Sequence, residues 1–187
     1  MVIAGIDYSL TSPGICVFDT SKKDFNYKNT KCYFRSNLHR FEKFNEGNLY
    51  GENHSSYNSD EDRYDDIANW ALKILIRKHN VDKVFLEGYS YGSTGKVFHI
   101  AENTGTLKYL MWDEELEFEI VPPTVIKKFA TGKGNANKEK MYESFCKENP
   151  KLDLRSQLTP RSSNVISPVS DVVDAYFIAK YGVENTK

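Results

Sequence analysis

The chain has 187 residues, of which 40% are hydrophobic and 27% charged, a size and composition that suit a single soluble domain spanning 1–187 and exclude collagen-like, coiled-coil or wholly disordered chains. Twenty-five Lys and Arg nearly cancel 26 Asp and Glu, leaving a net charge of −1, so any surface for a polyanion must be local. Cys16, Cys32 and Cys146 are odd in number and widely spaced, which argues against a disulfide framework or a zinc knuckle and for a reducing cytoplasm. The opening MVIAGIDYSL lacks the cationic start and apolar run of a signal peptide. The stretch WALKILI (70–76) is too short for a membrane span and carries Lys73, so no membrane association is expected.

In chain order, VIAGIDYSL (2–10) and ICVFD (15–19) read as two strands joined by a tight turn at SPG (12–14). NYKNTKCYFRS (26–36) alternates like a third antiparallel strand. Residues 37–60 are polar and aromatic with no sustained period, which predicts a long loop excursion. Residues 61–79 place Ile67, Trp70, Ala71, Ile74 and Leu75 at helical spacing behind an acidic first turn. A short buried strand is expected over 81–89, a helix over 96–115, and a strand over 118–123 stopped by two prolines. Helices follow over 124–130 and 138–149, flanking a glycine and asparagine loop. Residues 150–168 form a polar segment with three prolines, and 170–182 a last amphipathic helix closed by Gly182. The order predicts an α/β fold: a five-stranded mixed sheet, its first three strands antiparallel, flanked by helices.

Four acids fall in places where chemistry gathers. Asp7 and Glu87 end two strands, and carboxylates at the carboxyl ends of neighbouring strands can meet. Asp171 and Asp174 stand three apart in the first turn of the last helix and share a face. Singly, Asp171 reads best as a helix cap and Glu87 equally well as the first polar residue of a loop; Asp7 and Asp174 interrupt apolar patterns. Together the four would repel one another unless hard cations sat between them, which points to Mg²⁺ or Mn²⁺. Two such ions can activate water and stabilise the leaving oxygen of a phosphodiester.

Between residues 122 and 163, nine Lys or Arg face four acids, a local surplus suited to a phosphate backbone. Tyr89 and Tyr91, just past Glu87, offer faces for stacking on unpaired bases, although tyrosines near strand ends more often pack at the rim.

These residues resemble the RuvC-like Holliday junction resolvases of the RNase H-like superfamily. The resemblance runs through GIDYSLTSPGICVFD (5–19), VFLEGYSYG and ENTGTLKYLM (84–111), VIKKFATGKGNANKEKM (125–141) and SDVVDAYFIAKYG (170–182). Its most specific parts are G-x-G-x-A-x-K at 132–138 and the closing D-x-x-D-A helix. The resemblance implies an RNase H-like fold with Asp7, Glu87, Asp171 and Asp174 holding two Mg²⁺ ions, Mn²⁺ substituting, and with Lys127 and Lys138 near the scissile phosphate. Lys138 is counted with the catalytic set, and Lys127, Lys128, Lys133, Tyr89 and Tyr91 with the DNA-binding residues. It further implies a homodimer through helix 96–112 that nicks branched DNA in pairs, leaving 5′-phosphate and 3′-hydroxyl ends, in recombination and repair. The excursion at 37–60 is longer than bacterial members carry, and Ser90 stands where they can place a junction-wedging aromatic. The Asn- and Tyr-rich composition is in keeping with a viral member acting in the host-cell cytoplasm.

Three other readings compete. An actin-like ATPase shares the G-I-D-x-S-x-T opening but needs a duplicated domain that 187 residues do not accommodate. A non-enzymatic DNA-binding relative would lack one or more of the four acids, and all are present. A less selective RNase H-like nuclease acting on RNA–DNA hybrids or flaps is the alternative that shares both fold and metal chemistry.

Overall fold

The computed structural model describes residues 1–22, 24–89 and 97–186. Strands β1 (Val2–Asp7), β2 (Gly14–Asp19) and β3 (Thr30–Ser36) form the expected antiparallel meander. A hairpin follows, β4 (Lys43–Glu46) and β5 (Leu49–Asn53), and then β6 (Lys83–Glu87) and β7 (Glu117–Val121). β6 adds in parallel to β1, and β7 in parallel to β6.

The hairpin corrects two expectations. Residues 37–60 are not one loop, and the sheet has seven strands in the order β4-β5-β3-β2-β1-β6-β7. Strands of four and five residues are too short to show a period. What holds them is tertiary: β5 pairs in parallel with β3, and Phe34, Phe41 and Phe44 pack mutually with ring centroids 5.0, 5.5 and 5.9 Å apart. Gly47, at φ 65°, turns the hairpin.

Alternating strand residues feed two cores. Ile3, Cys16, Phe34 and Phe85 face one side of the sheet, while Ala4, Ile6, Ile15, Val17 and Leu86 face the other. Over the second face lie α1 (Asp60–Leu72), continued by a π-helical turn to Lys78, and α2 (Val97–Asp113). Ser59 caps α1, its Oγ accepting from the Asp62 amide at 3.1 Å. The first face is covered by α3 (Pro123–Thr131), α4 (Lys138–Glu148), α5 (Leu154–Leu158) and α6 (Val169–Asn185). The short α5 lies inside the polar, proline-bearing segment 150–168; Asp153 caps it and Leu154 and Leu158 are buried.

Gly182 does not close the last helix. α6 runs on to Asn185, and Gly182 is buried where a Cβ would collide with the Phe85 ring. That glycine serves packing rather than termination. Among the described residues no helix is long and apolar enough to cross a membrane.

Candidate active site

Asp7 and Glu87 are the last residues of β1 and β6, and the register Ile6↔Leu86 sets them side by side on adjacent parallel strands. Asp171 and Asp174 come from the first two turns of α6. That helix can reach the strand ends because two glycines let it lie directly on the sheet. A Cβ on Gly5 would stand 2.6 Å from the Ala175 carbonyl oxygen, and one on Gly14 would stand 2.5 Å from that of Asp171. Sequence thus brings four acids to one end of the sheet: strand ends supply two, and a closely docked helix supplies two.

The electrostatics show that these acids feel one another. Asp7 is held well above the usual carboxylate range by burial, then by the charges of Glu87, Asp171 and Asp174, with Lys138 opposing. Glu87 is pushed up to about 7 by burial, with Lys127 pulling down and Asp171 pushing further up. Asp174 is likewise pushed up to about 7 by burial, Glu87 and Asp171, against Lys138 and Lys127. Burial also raises Asp171, while the Ser167 and Ser12 side chains and Lys138 offset part of the effect. Desolvation and like charge act together here, the combination that marks functional carboxylates.

Two lysines stand against this negative charge. Asn137 caps α4 by accepting from the Lys140 amide at 3.0 Å, which fixes Lys138 as the first helical residue. The Lys138 ammonium donates to Ser170 Oγ at 3.2 Å. Lys127 projects from α3 and is half-buried beside Glu87. Lys128 and Lys133 are exposed, one on α3 and one in the loop after it, and the structure does not bring them to the carboxylates. Tyr89 is exposed and lines a cavity of about 500 Å³ whose wall also includes Asp7 and Glu87. Tyr91 lies outside the described residues, as does Ser90.

Two residues of this region were not singled out from sequence. Ser170 had no signal beyond its place before Asp171. Asn103, the second residue of ENTGTLKYLM, lines the same cavity as Asp7 and Glu87, and a polar residue on the buried side of a helix was the one available clue.

The donor chemistry fits a hard divalent cation. The four acids offer only carboxylate oxygens, burial raises the proton affinity of each, and the buried Asp171 Oδ2 has no hydrogen-bond partner among the described residues. Among the described residues no three His, Cys or carboxylate side chains close around one point as a finished ligand shell does. The site is a set of buried carboxylates in which Asp7, Glu87 and Asp174 are each raised further by the charge of at least one other.

No protein-family model matches the sequence, and no curated protein matches it. Solved structures do match in fold. Thermus thermophilus RuvC superposes with a TM-score of 0.60 at 19% identity, covering 98% of this chain and 96% of that one. The yeast mitochondrial Holliday junction resolvase Ydc2 gives 0.55 at 15% identity over 95% of this chain and 75% of that one. Fowlpox virus resolvase, solved with substrate Holliday junction DNA, gives 0.52 at 14% identity over 100% and 99%. Across nearly its whole length, the chain has the mixed α/β fold of RuvC and the related Holliday junction resolvases.

Proposed function

We propose that this protein is a divalent-metal-dependent endodeoxyribonuclease that resolves four-way and other branched DNA by paired, symmetric nicks. The observation that carries this reading is the convergence of Asp7, Glu87, Asp171 and Asp174, with Lys127 and Lys138, at one end of a sheet whose fold is that of RuvC-type resolvases.

In this reading the four carboxylates hold two Mg²⁺ ions, or Mn²⁺ in their place, which when bound supply an activated water and stabilise the leaving 3′-oxygen. The protein's own groups do the rest. Asp7 and Glu87, fixed at strand ends, would present their oxygens to the cation from a rigid sheet. Asp171 and Asp174 complete the donor set from α6, and burial, which raises the proton affinity of Glu87 and Asp174, is the cost that a bound cation would offset. Lys138, tied to Ser170, and Lys127 offer cationic contacts to the non-bridging oxygens, where negative charge grows in the transition state. Hydrolysis of the P–O3′ bond leaves 5′-phosphate and 3′-hydroxyl ends. Lys128, Lys133 and Tyr89 flank this centre as DNA contacts.

Two nicks related by symmetry require two copies. The outer face of α2 carries Phe98, Tyr109 and Trp112, which are 81%, 60% and 68% exposed, with Gly105 between them. Their spacing puts all four on one stripe of the helix, the apolar surface expected of a homodimer seam. The test is a gel assay with a labelled four-way junction, linear duplex, flap and RNA–DNA hybrid, with Mg²⁺ and with EDTA. Metal-dependent, paired nicks in the junction are the expected result; cutting of the hybrid alone would replace this reading with an RNase H-like one.

A further inference from the structure

The cavity beside the acids holds a group that phosphodiester hydrolysis does not use. Asn103 is 1% exposed, and neither its Nδ2 nor its Oδ1 has a hydrogen-bond partner among the described residues. A carboxamide carries two donors and an acceptor, and burying them unpaired is unfavourable. Of its companions on the buried side of α2, Thr104 is polar while Leu107 and Met111 are apolar, and a leucine at 103 would fill the same place without that cost. The amide is therefore held for something that enters the cavity.

The surroundings say what that is. The cavity, about 500 Å³, is walled by Asp7 and Glu87 on the catalytic side, by Asn103 on α2 and by Tyr89 at the exposed rim. It is large enough for a nucleoside. Arg63 also lines it, its guanidinium donating to the Leu10 carbonyl at 2.8 Å, and shares that wall with Asp60 and His99. A planar group with adjacent donor and acceptor atoms, attached to the phosphate being cut, would lie between an aromatic rim and an unpaired amide. Bases inside a duplex have their pairing edges occupied, so an unpaired or extruded base is the form that fits.

We propose that Asn103 reads the base of a nucleotide next to the scissile phosphate, and so sets the sequence preference of cleavage, its carboxamide pairing with an adjacent donor and acceptor on the free edge of that base. This rests on the nuclease reading above. Asn103 is a specificity residue and takes no part in the bond-breaking step.

The test uses the full-length protein, Asn103→Ala and Asn103→Leu, with four-way junctions that differ only in the base at each position flanking the crossover. Nicking rates are measured with Mg²⁺. Junction affinity and 2-aminopurine fluorescence at each position are measured with Ca²⁺ in its place, and thermal unfolding without DNA. The wild type is expected to favour one base at one position by about 5- to 150-fold. Both variants should flatten that ratio to about twofold or less, lose the 2-aminopurine response at that position, and keep overall junction affinity, while Asn103→Leu unfolds at no lower temperature than the wild type.

A base preference that survives in both variants overturns the proposal while leaving the nuclease reading intact. So does a marked loss of stability in both variants, which would mean that the amide is bonded within the fold; a loss in Asn103→Leu alone reports overpacking, and Asn103→Ala then decides. A wild type that binds junctions without nicking them overturns the nuclease reading and with it the cleavage preference, and an Asn103-dependent 2-aminopurine response then leaves only the base contact standing. Failure to bind any junction overturns both.

Discussion

The Lys138 ammonium donates to the Ser170 hydroxyl at 3.2 Å, so the first residue of α4 is fastened to the residue that precedes Asp171. The bond holds a cation over Asp7, Asp171 and Asp174, all of whose charged forms it favours. Lys138→Ala is expected to lower the Mg²⁺-dependent nicking rate by about 10²- to 10³-fold, the range seen when one preorganised contact to developing charge is removed. Ser170→Ala should cost far less, because the lysine keeps its place at the helix start through the Asn137 cap. Single-turnover rates of the two variants, with Lys138→Arg as a partial rescue, check this; equal losses would show that Lys138 acts only through Ser170.

Asp7→Asn and Asp174→Asn should each reduce nicking by at least about 10³-fold while leaving junction affinity nearly unchanged, since phosphate contacts on other residues position the DNA. Each should also raise the unfolding temperature of the metal-free protein. Both acids are destabilised in their charged forms by burial and by their neighbours, and the amide removes that repulsion without changing shape. Loss of activity together with a lower unfolding temperature would mark the residue as structural instead.

The raised proton affinities fix the sign of a pH dependence. Glu87 and Asp174 titrate near 7 in the folded protein, whereas in the unfolded chain they titrate near 4. Between those limits the folded state binds more protons, so stability without metal falls as pH rises from about 4 to about 7 and levels off above. The unfolding temperature of EDTA-treated protein is therefore expected to be higher at pH 5 than at pH 8, by about 5 °C in order of magnitude. Millimolar Mg²⁺ at pH 8 should recover most of the difference, because the cation takes over the neutralisation that protons supply at pH 5. A scan that rises with pH in EDTA would refute the cluster.

How far the sequence could be read follows from the range of the interactions involved. Asp7 and Glu87 were legible because each ends an apolar strand, and Asp171 and Asp174 because a three-residue spacing shares a helix face. The β4–β5 hairpin was not legible: Leu49 and Gly51 are too few to show alternation, and what anchors it is the contact of Phe34 with Phe41 and Phe44 across the chain. Gly182 misled for the same reason, since a glycine near a helix end usually terminates it, and only the approach of Phe85 from another strand explains why this one sits inside. Lys128 and Lys133 were read with Lys127 as one basic segment. Helical geometry separates them, because consecutive positions on α3 point about 100° apart, and Lys133 lies beyond Gly132, where the helix has ended.

Gly14 should be intolerant of substitution for a reason tied to the site. Its added Cβ would meet backbone, the carbonyl of Asp171, and backbone cannot rotate away. Gly14→Ala is expected to push the start of α6 off the sheet, destabilising the fold by about 1–3 kcal/mol. Nicking by the protein that remains folded should fall more than tenfold, since Asp171 and Asp174 move with the helix. Gly105→Ala, where a Cβ meets nothing within 4 Å, is the matched control and should leave the fold of a single copy undisturbed.

The exposed stripe of α2 gives the last expectation. Phe98 and Trp112 lie at the two ends of that helix, 81% and 68% exposed, with the Tyr109 ring tilted 35° to that of Trp112 at 6.1 Å between centroids. Leaving three large aromatic side chains in water along one face is unfavourable, and covering them with the same face of a second copy removes that cost symmetrically. Phe98→Glu with Trp112→Glu would then set like charges against each other across a two-fold axis. By light scattering, the wild type is expected to run at twice the chain mass and the double variant at the chain mass. Because each copy retains its own four acids, the variant should still nick junctions singly, but the two nicks should lose their coupling, so that nicked intermediates accumulate before resolved products form. A variant that stays dimeric, or a wild type that is monomeric at micromolar concentration, would place the interface elsewhere.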